Sequence, residues 1–239
     1  MSDFVNSLGQ PIGFPLAEWT PRPHPPRTAM NGRFCRVEPI DPERHADDLH
    51  SANLQDTAGA NWTYLAYGPF ATLDDYRDWI IKSCLGDDPL FYAVVDHASG
   101  RAHGVASYLR IDERVGVIEV GHINYAPPLQ RTAAATEAMY LMMRRVFEEL
   151  GYRRYEWKCD ALNAPSRAAA QRLGFRFEGI FRQATIYKER NRDTAWYSVI
   201  DSDWPALKAK FERWLSPENF DQAGKQRASL TTISSDSIG

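Results

Sequence analysis

Between residues 33 and 215 the apolar positions alternate between a period of two and a period near 3.6. RFCRVEPI (33–40) alternates and predicts a strand. DPERHADDLHSANL (41–54) predicts a helix, with Asp41 as its N-cap and Pro42 at the first helical position. TLDDYRDWIIKSCL (72–85) predicts a second helix, capped by Thr72 with acidic residues in its first turn. LFYAVVD and RAHGVASYLRI flank HASG as a hairpin, and GVIEVGHINY (116–125) predicts another strand. A long helix follows in NYAPPLQRTAAATEAMYLMMRRVFEELG (124–151). Ala135, Met139, Met142, Val146 and Leu150 share its apolar face. RRYEWKCD (153–160) predicts a strand and APSRAAAQRLGF (164–175) a short helix. Two more strands surround a polar turn at 189–193, and SDWPALKAKFERWL (202–215) closes with a helix. Helices and hairpins around a central strand–helix–strand unit predict an α/β (α+β) domain with a mixed sheet.

The flanks read differently. Residues 1–32 hold prolines at 11, 15, 21, 23, 25 and 26, which exclude a long helix. Phe14, Leu16 and Trp19 between them suit an irregular arm lying on the domain, with an exposed linker as the alternative. Residues 216–239 are polar and patternless and predict a loose tail. The 239 residues carry a net charge of −3, which gives no case for binding nucleic acid or a membrane surface. Cys35, Cys84 and Cys159 are far apart and read as buried thiols rather than a disulfide or zinc framework. No segment reaches the roughly 18 apolar residues of a spanning helix, and no signal peptide opens the chain, so a cytoplasmic location is expected.

Candidate chemistry enters at the start of the long helix. The first N–H groups of a helix have no intrahelical partner, and they contribute about 0.3–2 kcal/mol toward an anion placed against them. A phosphate reaches them only past short side chains. Thr132, Ala133, Ala134 and Ala135 are short, and Arg131 adds charge at the mouth. Alanine is also the best helix-former, so the same run suits a helix start that binds nothing.

The order of further motifs favours the ligand. Gln130-Arg131-Thr132-Ala133-Ala134-Ala135 is followed by Thr136-Glu137-Ala138. Asn163 and Ser166 precede Leu173-Gly174-Phe175 and Glu178-Gly179. Arg182, Arg192-Asp193, Tyr197 and Trp204 come later. In these motifs the chain resembles the GNAT superfamily of acyl-CoA-dependent N-acetyltransferases over about residues 33 to 215. It looks closest to the branch of the ribosomal-protein N-terminal acetyltransferases. The resemblance implies a central, mostly antiparallel twisted sheet flanked by helices, and acetyl-CoA as co-substrate without a metal. It implies transfer of the acetyl group to a primary amine, of a protein N-terminus or of a small molecule, by direct attack on the thioester. The alternative is a non-catalytic acyl-CoA sensor on the same fold. Residues expected at the coenzyme are Ile123, Asn124, Tyr125, Gln130, Arg131, Thr132, Ala133, Ala134, Ala135, Thr136, Asn163, Ser166 and Arg172. Ala133 stands where the family has glycine, which would matter only if that position needed positive φ.

Acetyl transfer needs a neutral amine and a proton for the leaving thiolate. Glu119, in the strand before the coenzyme site, is the first candidate base, with an ion pair or surface carboxylate as the alternative, and His122 the second, with a structural hydrogen bond as the alternative. Ser166 is the candidate proton donor, and it serves equally as a helix-cap residue beside Pro165. Tyr187 and Tyr197 are alternative acids or core aromatics. The loop GANWTYLAYGPF (59–70), with Trp62, Tyr64 and Tyr67, suits the lining of an acceptor groove, and equally a loop pinned to the core by its aromatics. Two copies could pair through the arm or a sheet edge.

Overall fold

The computed structural model describes residues 4–233. Strands β1 (Phe4–Val5) and β2 (Pro11–Ile12) form a small ribbon in the arm. The main sheet then builds from β3 (Met30–Asn31), β4 (Cys35–Pro39), β5 (Leu90–Asp96), β6 (Ala102–Asp112), β7 (Val117–Tyr125), β8 (Arg154–Asp160), β9 (Arg176–Tyr187) and β10 (Arg190–Ile200). Its spatial order is β3-β4-β5-β6-β7-β8-β10-β9, antiparallel throughout except for the parallel pair β7–β8. A parallel pair requires a crossover, and α3 (Ala133–Arg144) supplies it, prolonged by a π-helical turn at Arg145–Glu149.

Helices cover both faces. Helices α1 (Pro42–Asn53) and α2 (Leu73–Ser83) pack Ala46, Leu49, Tyr76 and Ile80 against Phe91, Ala93 and Val105. On the other face α3 and α5 (Trp204–Leu215) bury Met139, Met142 and Phe211 against Tyr92, Ile118, Val120 and Tyr155. Residues of β5 alternate between the two cores, which is why LFYAVV is apolar without a break. The short α4 (Ala164–Arg172) follows β8 and ends at Gly174, whose φ of +92° is the left-handed turn glycine permits.

The predicted caps are present. Asp41 Oδ1 accepts from the N–H groups of Glu43 and Arg44, and Thr72 Oγ1 from that of Asp75. The arm lies on the domain: Trp19 Nε1 donates to Arg114 O at 2.7 Å, and Tyr92 OH donates to Pro26 O at 2.8 Å. The segment after Leu215, read as loose, is packed as far as the description extends. Asn219 Nδ2 donates to Trp214 O, Trp214 Nε1 to Gln226 Oε1, and Leu230 is buried. Its few apolar residues were enough to anchor it. Residues 234–239 of that expectation lie outside the described residues. The hairpin turn falls at Lys188–Glu189 rather than 189–193; Arg190–Asp193 continue the strand, polar because both faces are partly open there.

One buried carboxylate ties α3 to the first strands of the sheet. Glu137 accepts from the N–H groups of Arg33 (2.8 Å), Phe34 (2.6 Å) and Cys35 (2.9 Å), tying the β3–β4 turn to the second turn of the helix. A Cβ on Gly32 would run into this carboxylate, so the turn approaches as closely as backbone allows. Glu137→Gln would replace one acceptor oxygen by a donor and remove the charge. It should destabilise the fold by about 2–4 kcal/mol in urea unfolding, whereas a change below about 0.5 kcal/mol would mean the tie contributes little.

Candidate active site

β7 and β8 are paired only from Val117↔Arg154 to Val120↔Trp157. Beyond Val120, β7 keeps its partner β6 alone, and Lys158–Asp160 keep β10 alone. A bulge sets the divergence. His122 and Ile123 stand opposite the single residue Ala106, and His122 has φ of +49°, rare for a side chain of that size. The two strands open into a wedge whose walls are unpaired strand edges, able to hydrogen-bond an extended, amide-bearing chain.

Helix α3 starts at the wide end of this wedge. Thr132 is its N-cap and Thr132 Oγ1 accepts from Ala135 N at 3.1 Å. Among the described residues the N–H groups of Arg131, Ala133 and Ala134 have no partner. Arg131, at φ +60°, turns the chain into the helix, a backbone shape suited to presenting successive N–H groups to an anion. Left-handed geometry therefore falls on Arg131 and not on Ala133, which is the first helical residue, so its replacement of glycine carries no backbone strain. Arg172 Nη2 donates to Thr136 Oγ1 at 3.2 Å and brings the end of α4 to the same corner.

The other candidates divide. Asn124 is 4% exposed and its Oδ1 has no donor; burying an unmet acceptor costs about 1–3 kcal/mol unless a ligand supplies the donor. Ile123 and Tyr125 pack against the larger core. The Gln130 side chain is committed to the 59–70 loop and the end of β7, donating to Asn61 Oδ1 at 2.9 Å and to Tyr125 O at 2.8 Å. Asn163 is the N-cap of α4, accepting from Ser166 N at 3.1 Å. Ser166 Oγ accepts from Trp157 Nε1 at 3.0 Å on the β8 side of the wedge.

Glu119 sits at the last rungs before the divergence, 3% exposed and gripped by two cations, Arg110 Nη1 at 2.7 Å and Lys158 Nζ at 2.9 Å. Lys158 also pairs with Glu156 at 2.6 Å and lies 3.8 Å from the centroid of Trp196. Burial, then the nearby Arg110 guanidinium, pull the His122 imidazole down to about 4. His122 is therefore neutral at pH 7, with Nδ1 3.2 Å from Tyr67 OH. Tyr187 donates to Asp160 Oδ2 at 2.8 Å; burial and that carboxylate push its hydroxyl up to about 12. Tyr197 is fully buried and accepts from Arg167 Nε. Asp193 accepts from Gln183 N and Asn191 Nδ2 rather than pairing with Arg182. Lys158, Asn61 and Lys188 went unnoticed in the sequence, because a single polar residue in a strand or turn carries no periodic signal.

The site supports group transfer between an anion-tailed, amide-bearing carrier in the wedge and an acceptor from the α1–α2 side. Comparisons with known proteins agree. The model of the acetyltransferase (GNAT) domain matches residues 36–176. The crystal structure of a GCN5-related N-acetyltransferase from Brucella melitensis is 51% identical, covering 90% of this chain and 98% of that one, with a TM-score of 0.88. The structure of a probable GNAT-family acetyltransferase from Chromobacterium violaceum is 40% identical over 82% of this chain and 97% of that one, with a TM-score of 0.75. The putative ribosomal N-acetyltransferase YdaF of Bacillus subtilis is 28% identical over 178 residues, 72% of this chain and 92% of that protein. No helix among the described residues is long and apolar enough to cross a membrane. With the wedge, the open helix start and these relatives in agreement, the chain belongs to the GNAT family of acetyl-CoA-dependent N-acetyltransferases.

Proposed function

We propose that the acceptor is the α-amine at the N-terminus of a polypeptide, acetylated in the cytoplasm. The observation that carries this reading is how the two candidate bases in the wedge are engaged. Glu119 is held by two cations, and His122 binds a proton only near pH 4. A lysine amine of pKa about 10.4 costs roughly 4 kcal/mol to deprotonate at pH 7.4, an α-amine near 7.8 well under 1 kcal/mol. Alignment of two reactants is worth about 7–11 kcal/mol, so a site without a strong base serves the α-amine well and the lysine amine poorly. The Bacillus subtilis relative is named a putative ribosomal N-acetyltransferase, which fits a protein acceptor without naming its amine.

The residues fit the co-substrate. Arg131, Ala133 and Ala134 would hold the pyrophosphate, the open edge of β7 and Asn124 the pantetheine arm, and acetyl-CoA brings the activated acetyl thioester. The amine nitrogen bonds the acetyl carbon as the C–S bond breaks; the amine loses a proton and the thiolate gains one. Ser166 is the proton donor in this reading: its Oγ accepts from Trp157, and its O–H, which also has the Cys159 thiol beside it, would turn toward the coenzyme sulfur. Glu119 anchors the wedge. Two copies pairing through β9, whose Ile180, Phe181 and Ile186 are exposed, would scatter light as twice 27.2 kDa.

Peptide specificity and pH test the acceptor. A peptide with a free α-amine should turn over about two orders of magnitude faster at pH 7.4 than one with a blocked N-terminus and an internal lysine. The kcat/KM for the former should rise through about 7.8, the amine's own pKa, with no inflection near 6.5 and the same profile in His122→Gln. Equal turnover of the two peptides would reject the reading. Ala133→Asp tests the phosphate site. A carboxylate there suits the helix dipole, so stability should hold, yet acetyl-CoA affinity in calorimetry should fall by about tenfold or more. Unchanged affinity would place the pyrophosphate elsewhere.

A further inference from the structure

The segment following the 3-10 turn at Ala60–Trp62 crosses the open side of the wedge. Its Tyr67 stacks on His122 of the β7 lip, with ring centroids 5.7 Å apart. Its Tyr64 OH donates to Leu162 O, just beyond the end of β8, at 3.2 Å. Residues 62–68 thus span both lips on the face away from α3, without a strand ladder or α-helix of their own.

Their two ends are closed by one side chain. Lys188 Nζ donates to Trp62 O at 2.8 Å and to Gly68 O at 2.9 Å. Arg190 Nη2 donates to Thr63 O at 2.7 Å. Both reach over from the β9–β10 turn, where Lys188 and Glu189 have φ of +47° and +59°. Hairpin turns of that shape favour Asn and Gly; two L side chains there mark a turn whose residues answer to something other than the turn. The root of the segment is tied separately, through Asn61, which donates to Tyr125 O at 3.3 Å and accepts from Gln130. Loss of Lys188 would release the far part and leave the coenzyme side in place.

We propose that residues 62–68 form a strap roofing the acceptor side of the wedge, with Lys188 as its positioning residue. Fastened, the strap admits an acceptor as a narrow, extended chain end and turns away amines on branched or folded surfaces. The proposal rests on the coenzyme lying against α3, as argued above, and its second part on the α-amine reading.

The test compares Lys188→Met with Lys188→Arg. In Lys188→Met the amides of residues 63–67 should exchange hydrogen about tenfold faster, while those of β7 do not change. The KM for a short unstructured peptide with a free α-amine should rise about tenfold, with kcat and the acetyl-CoA dissociation constant within about twofold. Lys188→Arg should restore most of both. Unaltered exchange in the strap, or weakened acetyl-CoA binding in step with the peptide KM, would overturn the proposal. A wild type that acetylates no such peptide would overturn the α-amine reading instead, and the exchange measurement alone would then decide the strap.

Discussion

The divergence of β7 from β8 after Val120 and Trp157 is the constraint on which the rest of the structure depends. A sheet that loses a ladder in its middle gives up backbone hydrogen bonds and exposes strand edges, which is costly unless something else fills them. Here the loss lies between the two halves of an eight-stranded sheet, so what holds the halves together must act beside the opening. On one face α3 does so, crossing from β7 to β8 with ten consecutive buried residues from Ala134 to Met143. On the other face a chain of charges does so, from Arg110 through Glu119, Lys158, Glu156 and Arg154 to Glu178.

That chain explains why Glu119 makes a good rivet. Lys158 joins a carboxylate of β7 to one of β8 at the point where the strands part. Removing one member of such a buried set leaves an uncompensated charge, commonly a loss of about 3–5 kcal/mol. The wedge is thereby braced at its apex, while residues 62–68 are placed by contacts of Tyr67, Tyr64 and Lys188.

Much of this was legible in the sequence. The caps at Asp41 and Thr72, the two-faced apolar run of β5 and the short side chains opening α3 each express a local rule, so reading them required no tertiary information. Whether Ala133 was harmless turned on which residue carried the left-handed turn. The answer, Arg131, has no sequence signal, since its conformation is imposed by the loop that leads into α3. The same holds for Glu137. As part of Thr-Glu-Ala it read as a family mark, and only the fold shows it accepting three backbone N–H groups. Whether Glu119 is a base or a member of an ion pair stays open in the sequence, because its partners lie nine and thirty-nine positions away, at Arg110 and Lys158, where no helical or strand period points. Long-range electrostatics, more than secondary structure, was the hidden part.

The central claim is that the wedge and the open start of α3 hold the coenzyme, and backbone amide resonances test it most directly. Titrating acetyl-CoA into isotope-labelled protein should move the amides of Arg131, Ala133 and Ala134 most, together with residues 121–125 at the open edge of β7. The account would be contradicted by saturable shifts centred elsewhere, for instance around the cavity of about 140 Å³ lined by His50, Asp56 and Tyr76, with the start of α3 unmoved.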